Sequence, residues 1–423
     1  MKKEFFTVIM TALAAAFLIF ALMTKPVFAQ TPTDAPGTIA YFRMVGTTQT
    51  SPGTSELHLV NPDGSNDRII FTLPQGLTSI HPVPGWRPDG REIGFSSAHE
   101  VSCSPYESDI YAIRPDGSGL RRITNAPMYE ELARLPKGSV TLTIGNLITN
   151  TSIFFVYIEG AMDMKQVLIS AGSSINVTID NVADLGRKQF VYVKSGPGTW
   201  IFPQAYADVV PGQTVAVANA VQITSGYGPY HFKINNFTWK SDGSEIAYLV
   251  EAGLKEFLPA FPANGQQGKS LFTGKSSLVG GSLTWLPESD EFLYYSSLAY
   301  PQGIYRGVKG SDVITHPLVV KTDYVSCIDV LPDNSGFLYS TYNFGYRSNK
   351  IFQYDFNSNQ STVLVDGGVY LSGVVASPDG RYLTFANRDD DKAPYDLFGM
   401  SIDGSQQWKI ASDIVSWDWE SEM

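Results

Sequence analysis

The sequence lacks the short motifs of several common enzyme classes and has little positive charge. It contains no Gly-x-Ser-x-Gly elbow and no His-Glu-x-x-His helix motif, so neither a serine-hydrolase elbow nor a zincin site is expected. Two Gly-Lys-Ser triplets, at Gly268 and Gly274, lack the earlier glycine that a phosphate-binding loop needs. With 30 Lys and Arg against 41 Asp and Glu, the net charge is −11. An acidic chain without a basic stripe is not expected to bind nucleic acid.

What the sequence does contain is a repeat of the form aromatic-x-Pro/Ser-Asp-Gly-x-x-apolar-x-aromatic. Copies begin at Trp86, Trp239, Trp285, Val330 and Ala376, the third and fourth being diverged. Proline presets φ, aspartate hydrogen-bonds its own backbone and glycine accepts positive φ, so each copy predicts strand, tight turn, strand. A second hairpin signal follows each copy, which makes a unit of four strands in roughly 45 residues, the size of a propeller blade.

The two kinds of hairpin differ in number, which predicts how the chain ends meet. The repeat motif, which would form the inner hairpin of each blade, occurs five times, whereas the second hairpin signal, which would form the outer hairpin, occurs six times. The first outer hairpin surrounds Asp63 and has only one strand before it, at 38–44. An unmatched strand lies near the other end, at 414–419. Pairing these two strands in a shared blade would remove open sheet edges. The sequence therefore predicts an all-β fold, a six-bladed β-propeller closed by pairing of the N- and C-terminal strands.

These repeats resemble the TolB-type β-propeller repeat, which also occurs in the propellers of prolyl-oligopeptidase-like peptidases. The resemblance rests on Trp86-Arg-Pro-Asp-Gly-Arg-Glu-Ile-Gly-Phe and on the strand and turn at 109–124. It covers most of 37–419 apart from one insertion. It implies the propeller fold, and the motif is specific for that fold and not for a function.

The regular spacing of Asp-Gly turns is broken once, between Asp89 and Asp242. Roughly 90 extra residues lie there, more than an ordinary loop holds. They contain short alternating strand candidates separated by Gly and Pro turns, which favours an inserted β-sandwich-like domain at 135–219. The alternative is a decorated propeller loop. The propeller would then comprise 37–134, with blades one and two, and 220–423, with blades three to six and the closing strand.

The N-terminus has the pattern of an export signal. Met1-Lys2-Lys3 precedes an apolar run and a small residue, Ala29, at a plausible cleavage point. We therefore expect a signal peptide at 1–29, a flexible leader at 30–36, and a periplasmic or secreted protein. The alternative is an uncleaved membrane anchor, since the apolar run is long enough to span a bilayer.

Cysteine is scarce, with Cys103 and Cys327 alone. An exported protein meets an oxidising compartment, so a disulfide is one alternative. The two cysteines are expected in blades two and five, across the ring from one another. A bridge needs Cα atoms within roughly 7 Å, and the other alternative is two separate thiols.

Neither a metal nor any other cofactor is expected, although two groups of residues offer ligands. Asp389, Asp390 and Asp391 could bind Ca²⁺ or could form a solvated loop, since their spacing lacks the alternating ligand pattern. His81 and His231 precede predicted inner strands, but their spacing matches no ligand motif, and ordinary loop histidines are the alternative to a metal site.

The loops that join second to third strands and the connections from one blade to the next are expected on one face, usually the binding face of a propeller, and this face is rich in aromatic residues. Rigid aromatic surface with a few arginines suits recognition of a protein or sugar. Alternatively, these aromatic side chains fill the contacts between blades and have no binding role. The candidate ligand-binding residues are Tyr230, His231, Tyr300, Tyr342, Phe344, Tyr346, Arg347, Tyr370 and Arg388.

No catalytic residue is predicted from these patterns. The sequence favours an exported, non-enzymatic binding protein that recognises a protein or glycan partner through the propeller face and the insertion. The alternative is a propeller enzyme of the polysaccharide lyase or hydrolase type, with its site at the channel mouth. Fold alone does not decide between them, because propellers carry many functions.

Overall fold

The computed structural model describes residues 35–46, 54–73, 83–97, 109–124, 129–161, 165–195, 205–223, 233–252, 255–257, 259–262, 269–271, 282–296, 301–312, 315–322, 324–341, 349–368, 371–388 and 393–420. These residues form β-strands and one short helix, which confirms the prediction of an all-β fold. No helix within these ranges has the length and hydrophobicity to cross a bilayer.

The first seven strands belong to two antiparallel sheets that carry the first copies of the repeat. Their bounds are β1 (Ile39–Val45), β2 (Thr54–Val60), β3 (Arg68–Thr72), β4 (Pro84–Trp86), β5 (Ile93–Ser97), β6 (Asp109–Ile113) and β7 (Arg121–Arg122). The strands β4 to β7 pair in chain order, and β1 to β3 join a larger sheet that also includes the last strands of the chain.

The segment after β7 forms a helix and two sheets that pack on each other. Strands pair in the orders β10-β9-β12-β13 and β11-β8-β14, with β15 also paired to β8. Their facing sides share one apolar core, in which Leu142, Phe154 and Val191 are fully or almost fully buried. The bounds are α1 (Tyr129–Arg134), β8 (Lys137–Asn146), β9 (Ser152–Ile158), β10 (Lys165–Ile169), β11 (Ser174–Ala183), β12 (Gln189–Ser195), β13 (Ala205–Ala207), β14 (Thr214–Ala216) and β15 (Val221–Ile223).

The remaining strands return to the repeat pattern. They form the sheets β16-β17-β19-β20, β21-β22-β23-β24 and β25-β26-β27-β28, while β18 pairs with β17. The bounds are β16 (Lys233–Trp239), β17 (Glu245–Ala252), β18 (Lys255–Phe257), β19 (Pro259–Pro262), β20 (Lys269–Ser270), β21 (Leu283–Trp285), β22 (Glu291–Ser296), β23 (Gly303–Val308), β24 (Leu318–Lys321), β25 (Val325–Val330), β26 (Gly336–Thr341), β27 (Asn349–Asp355), β28 (Gln360–Gly368), β29 (Ser372–Ala376), β30 (Tyr382–Asn387), β31 (Tyr395–Ser401) and β32 (Gln407–Trp419).

The Pro-Asp-Gly and Ser-Asp-Gly segments form the tight turns that their residue types predict. In the copy at Trp239, the N–H of Gly243 donates to Lys240 O at 2.8 Å, and Gly243 has φ +67°. Asp242 Oδ1 accepts the N–H of Ser244 at 2.9 Å. The backbone turn is therefore satisfied by its own residues, and the same geometry recurs at Asp89 and Asp379.

The two ends of the described chain pair with each other, in a form that differs from the prediction. The strand predicted at 414–419 is the second half of β32, whose first half pairs with β31. The second half pairs with β1, with Tyr41 opposite Trp417. Asp413, at the point of change, has φ +60°, so a left-handed residue redirects one continuous strand from one partner to the next. The result is a seven-stranded sheet, β29-β30-β31-β32-β1-β2-β3.

The apolar cores of the repeat lie between neighbouring sheets. Ile110 and Ala112 of one sheet pack with Phe237, Trp239 and Tyr248 of the next. The repeat tryptophans are accordingly buried, with Trp239 5% and Trp285 4% exposed. Many aromatic residues of the repeat therefore stabilise the contacts between sheets.

Candidate functional site

Six strand segments contact one another in series, and we call them the inner strands. They are the first strands of the five repeat sheets, β4, β16, β21, β25 and β29, and the second half of β32. In space β32 contacts β4, β4 contacts β16, and the series continues through β21, β25 and β29 back to β32. Hydrogen bonds support several of these contacts, such as that from Ile328 N–H to Ser282 Oγ at 2.9 Å. The inner strands thus bring together residues that lie far apart in sequence.

On two of these strands, β25 and β32, polar side chains are accessible or partly accessible. On β25, Val325 and Ile328 are buried between sheets, whereas Ser326 is exposed and Asp329 is half-buried. On β32, Asp418 is likewise half-buried. A register shift between Val325 and Cys327 interrupts the strict alternation of β25, so the accessible residues Ser326 and Asp329 are three positions apart.

Two carboxylates occupy equivalent places on different inner strands. Asp329 Oδ2 accepts the N–H of Ala376 on β29 at 2.7 Å. Asp418 Oδ2 accepts the N–H of Trp86 on β4 at 2.6 Å. Each carboxylate therefore stabilises the contact with the next inner strand, because it satisfies a backbone donor there.

Burial controls the protonation of this region. Enclosure by surrounding protein raises the pKa of Asp329 to about 6, although part of its surface stays accessible. Burial, together with the nearby carboxylates of Asp329 and Asp418, also raises the pKa of the Cys327 thiol to about 12. Cys327 is a free thiol that donates to Val374 O at 3.3 Å, so it stays protonated and is a poor nucleophile at neutral pH. Its predicted alternative partner, Cys103, lies outside the described residues.

The raised pKa of Asp329 has a measurable consequence for stability. The folded state favours the neutral carboxyl of Asp329. The contribution of this group to the free energy of unfolding is therefore complete below pH 4 and is lost as the pH rises through about 6. We expect Asp329→Asn, whose amide oxygen can still accept the Ala376 N–H, to be more stable than the parent at pH 8 by about 1–3 kcal/mol. The difference should vanish near pH 4 in urea unfolding.

A turn aspartate provides a control with the opposite sign. Hydrogen bonds from the backbone and side chain of Ser405, and from Ser401, lower the pKa of the exposed Asp403 to about 2. The ionised carboxylate of Asp403 stabilises the folded protein above pH 4, and this contribution is lost as the pH falls below 4. Asp403→Asn should therefore be less stable than the parent at pH 8. If the two substitutions changed the free energy of unfolding at pH 8 in the same direction and by the same amount, the raised pKa of Asp329 would be contradicted.

Tyr324 is an exposed aromatic residue in an unfavourable backbone conformation directly before β25. Its side chain is 47% exposed and its φ is +50°. A left-handed tyrosine costs on the order of 1 kcal/mol, and such outliers often occur at functional sites. Tyr295 OH fixes the conformation by accepting the Tyr324 N–H at 2.8 Å. Tyr324 was not among the predicted residues because no motif marks it, although the predicted Tyr230 and Tyr370 also precede the first strand of a sheet.

One of the nine predicted ligand-binding residues can be placed. Arg388 is half-buried, its backbone N–H donates to Asn387 Oδ1 at 2.9 Å, and its guanidinium lies 4.7 Å from the centroid of the Tyr395 ring. These contacts hold Arg388 against its own sheet. The eight that lie outside the described residues are Tyr230, His231, Tyr300, Tyr342, Phe344, Tyr346, Arg347 and Tyr370.

The predicted metal ligands Asp389, Asp390, Asp391 and His81 also lie outside the described residues. Within the described part of the chain, no group of three or more His, Cys, Asp or Glu side chains is placed to hold a metal ion. The calcium and histidine-metal alternatives therefore stay predictions.

The ends of one predicted recognition loop are described and lie beside Tyr324. Residues 342–347 follow Thr341, the last residue of β26, and Thr341 pairs with Val325. Asn349, the first residue of β27, is also at this end, where its Nδ2 donates to Leu371 O at 2.7 Å. Tyr324 is therefore next to the point at which the predicted segment leaves the sheet.

A serine–histidine pair elsewhere has the distance of a nucleophile and its base but a different arrangement of protons. Ser311 Oγ lies 2.7 Å from His316 Nε2, and Tyr294 OH lies 2.9 Å from His316 Nδ1. The Ser311 hydroxyl donates to Val308 O at 2.5 Å, which leaves its oxygen to accept from Nε2–H. Burial lowers the pKa of His316, so the neutral ring fits this chain of hydrogen bonds. The pair stabilises an outer turn.

Comparison with known proteins identifies the fold. TolB from Acinetobacter baumannii is 14% identical, with a TM-score of 0.53, over 93% of this chain and 68% of that one. A putative TolB from Agrobacterium tumefaciens is 12% identical, with a TM-score of 0.44, over 90% and 93% of the two chains. No protein-family model and no curated protein matches the sequence. The fold is that of a TolB-like β-propeller, and at this identity the likeness concerns the fold alone.

Proposed function

We propose that the protein is an exported, non-enzymatic binding protein that recognises a protein or glycan partner at the end of the inner strands that carries Tyr324. The observation that carries this proposal is an exposed tyrosine held in a left-handed conformation beside polar inner-strand residues. A rigid, half-exposed aromatic ring costs little conformational entropy on binding, which suits a recognition surface. The adjacent residues 342–347 would add further aromatic surface.

The architecture that we infer is a six-bladed ring. The contacts between inner strands pass through six strands and return to β32, and the pairing of β32 with β1 supports closure by the two terminal strands. We infer that 135–219 forms an inserted β-sandwich domain, since its two sheets share a core of their own. The pairing of β15 with β8 extends this domain past residue 219.

The proposed location is the periplasm or the cell exterior. It rests on the signal-peptide pattern at 1–29 and on the predicted leader at 30–36. The net charge of −11 argues against nucleic acid as the partner. Membrane attachment would require that the N-terminal segment is not cleaved.

Replacing Tyr324 with glycine tests the recognition surface. Glycine accepts φ +50° without strain, so Tyr324→Gly should fold with equal or slightly greater stability while it removes the ring. We expect affinity capture from envelope and culture fractions of the native host to lose its partner by tenfold or more. Tyr324→Phe, which keeps the aromatic surface, should retain the partner. Equal capture by the glycine variant and the parent would contradict the proposal.

The enzyme alternative rests on the two inner-strand carboxyls. A pKa of about 6 allows Asp329 to exchange a proton near neutral pH. Asp418 is a second acid on the inner strand β32, and β29 lies between β32 and the strand β25 that carries Asp329. A polysaccharide lyase or hydrolase would need such groups at the channel mouth. Cleavage of a polysaccharide panel by the parent, lost in Asp329→Asn and kept in Tyr324→Gly, would favour this alternative.

A further inference from the structure

Tyr295 is a buried residue whose hydroxyl reaches from one repeat sheet to the start of the next. It lies on β22, is 3% exposed and packs in a core that also contains Val325 and Ile328 of β25. Its backbone N–H donates to Ser282 O at 3.0 Å. Since the sheet fixes its main chain and the core fixes its ring, the hydroxyl is a rigid hydrogen-bonding group for the neighbouring sheet.

This hydroxyl is an acceptor for the Tyr324 N–H, at a point where the ladder of β25 has not yet begun. The first pair of β25 joins Val325 to Thr341, and Tyr324 lies one residue before it. Tyr295 OH accepts the Tyr324 N–H at 2.8 Å. A partly buried backbone N–H needs an acceptor, so this hydrogen bond favours the conformation that directs the N–H of Tyr324 towards the preceding sheet.

The left-handed conformation of Tyr324 is not explained by its residue type. Seven described residues other than glycine have positive φ, and five of them are asparagine or aspartate, which adopt it readily: Asn66, Asn181, Asn334, Asn359 and Asp413. The other two are Tyr324 and Glu288. The Glu288 N–H also donates to a hydroxyl of the preceding repeat unit, Ser241 Oγ at 3.0 Å. Both exceptions therefore share a side-chain hydroxyl acceptor that the preceding unit supplies.

We propose that Tyr295 is a positioning residue for the recognition surface, because its hydroxyl holds Tyr324 in the conformation that presents the aromatic ring. This inference rests on the proposed function, in which the exposed ring of Tyr324 contacts the partner. Tyr295 itself is 3% exposed, so it acts through Tyr324 and not by touching the partner. Partner affinity thus depends on a buried hydroxyl of the neighbouring sheet, since a ring that is already oriented loses less conformational freedom on binding.

Tyr295→Phe tests this role, since it removes the hydroxyl and keeps the ring in the core. Without the acceptor, Tyr324 is free to return to negative φ, and its ring must be ordered again on binding. We expect affinity capture from envelope and culture fractions of the native host to retain about three- to tenfold less partner, the range that corresponds to ordering one side chain. Tyr339→Phe is the matched control and should capture as the parent does, because Tyr339 is also 3% exposed and its hydroxyl donates to Ser361 Oγ at 2.9 Å.

A double variant separates positioning from a general loss of packing. Once Tyr324→Gly has removed the ring, the addition of Tyr295→Phe should cause no further loss of partner, because the two residues act through one contact. Additive losses would show that Tyr295 affects the surface by another route and would overturn the proposal.

A fluorine label reports the conformation of residue 324 without any partner. With a single fluorotyrosine at this position, we expect one sharp fluorine resonance in the parent and in Tyr339→Phe, and a shifted or broadened one in Tyr295→Phe. An unchanged resonance in Tyr295→Phe would overturn the proposal. If Tyr324→Gly loses the partner and Tyr295→Phe keeps it, the proposed function stands and this inference fails. If Tyr324→Gly keeps the partner, the proposed function fails, and the role of Tyr295 in recognition fails with it.

Discussion

Replacing Trp239 with alanine should lower the free energy of unfolding by about 3–5 kcal/mol, the range for large buried aromatic residues. Trp239 is 5% exposed and packs between two sheets. Its Nε1–H donates to Gly85 O on the preceding inner strand at 3.0 Å. The Arg87 guanidinium lies 5.8 Å from its ring centroid. The substitution would therefore remove a packing contact, a hydrogen bond and a cation–π contact between the same two sheets.

The surroundings of Trp239 cannot easily close the cavity. A Cβ atom on Gly85 or Gly94 would lie within 3 Å of the Phe237 ring, so the preceding sheet already fits this surface closely. Trp239→Phe should lower the free energy of unfolding by less than Trp239→Ala does, because phenylalanine keeps much of the apolar volume. Val363→Ala, at an exposed position, should change stability by about 0.5 kcal/mol or less. If urea unfolding shows similar losses for Trp239→Ala and Val363→Ala, the packing argument is wrong.

The second large effect is expected at a buried ion pair, where Asp109→Asn should destabilise the protein by about 3–5 kcal/mol. Asp109 and Arg122 side chains are 1% and 2% exposed, with Arg122 Nη1 at 3.7 Å from Asp109 Oδ2. Thr124 Oγ1 donates to Asp109 Oδ1 at 2.8 Å. Removal of the carboxylate would leave the Arg122 charge in a poorly solvated place, and this desolvation is the main cost.

A double variant distinguishes this cost from a general loss of packing. Asp109→Asn/Arg122→Met removes both charges and should recover part of the stability that Asp109→Asn loses. The exposed pair of Lys350 and Asp366 is the control, since both side chains are at least 34% exposed. Lys350→Met should cost about 1 kcal/mol or less. A double variant less stable than Asp109→Asn would show that the pair stabilises the fold in its own right.

The local structure of the repeat could be predicted because it depends on neighbouring residues. The turn at 240–244 is formed by hydrogen bonds from Gly243 N–H to Lys240 O and from Ser244 N–H to Asp242 Oδ1, so the motif contains the interactions that determine it. The candidate site could be predicted only in outline. Arg388 is bound to its own sheet, and the exposed Tyr324 had no motif to mark it.

The amino-acid sequence alone determined the strand–turn–strand units and the all-β class, since short-range hydrogen bonds and alternating hydrophobicity are local properties. Tertiary structure decided where β32 changes partner, because the change at Asp413 depends on β31 and β1 from opposite ends of the chain. It also decided the pKa of Asp329, which is raised by burial among several inner strands. The pairing of Asp109 with Arg122 is likewise a product of strand register. These properties arise from contacts between distant residues, for which no local pattern exists.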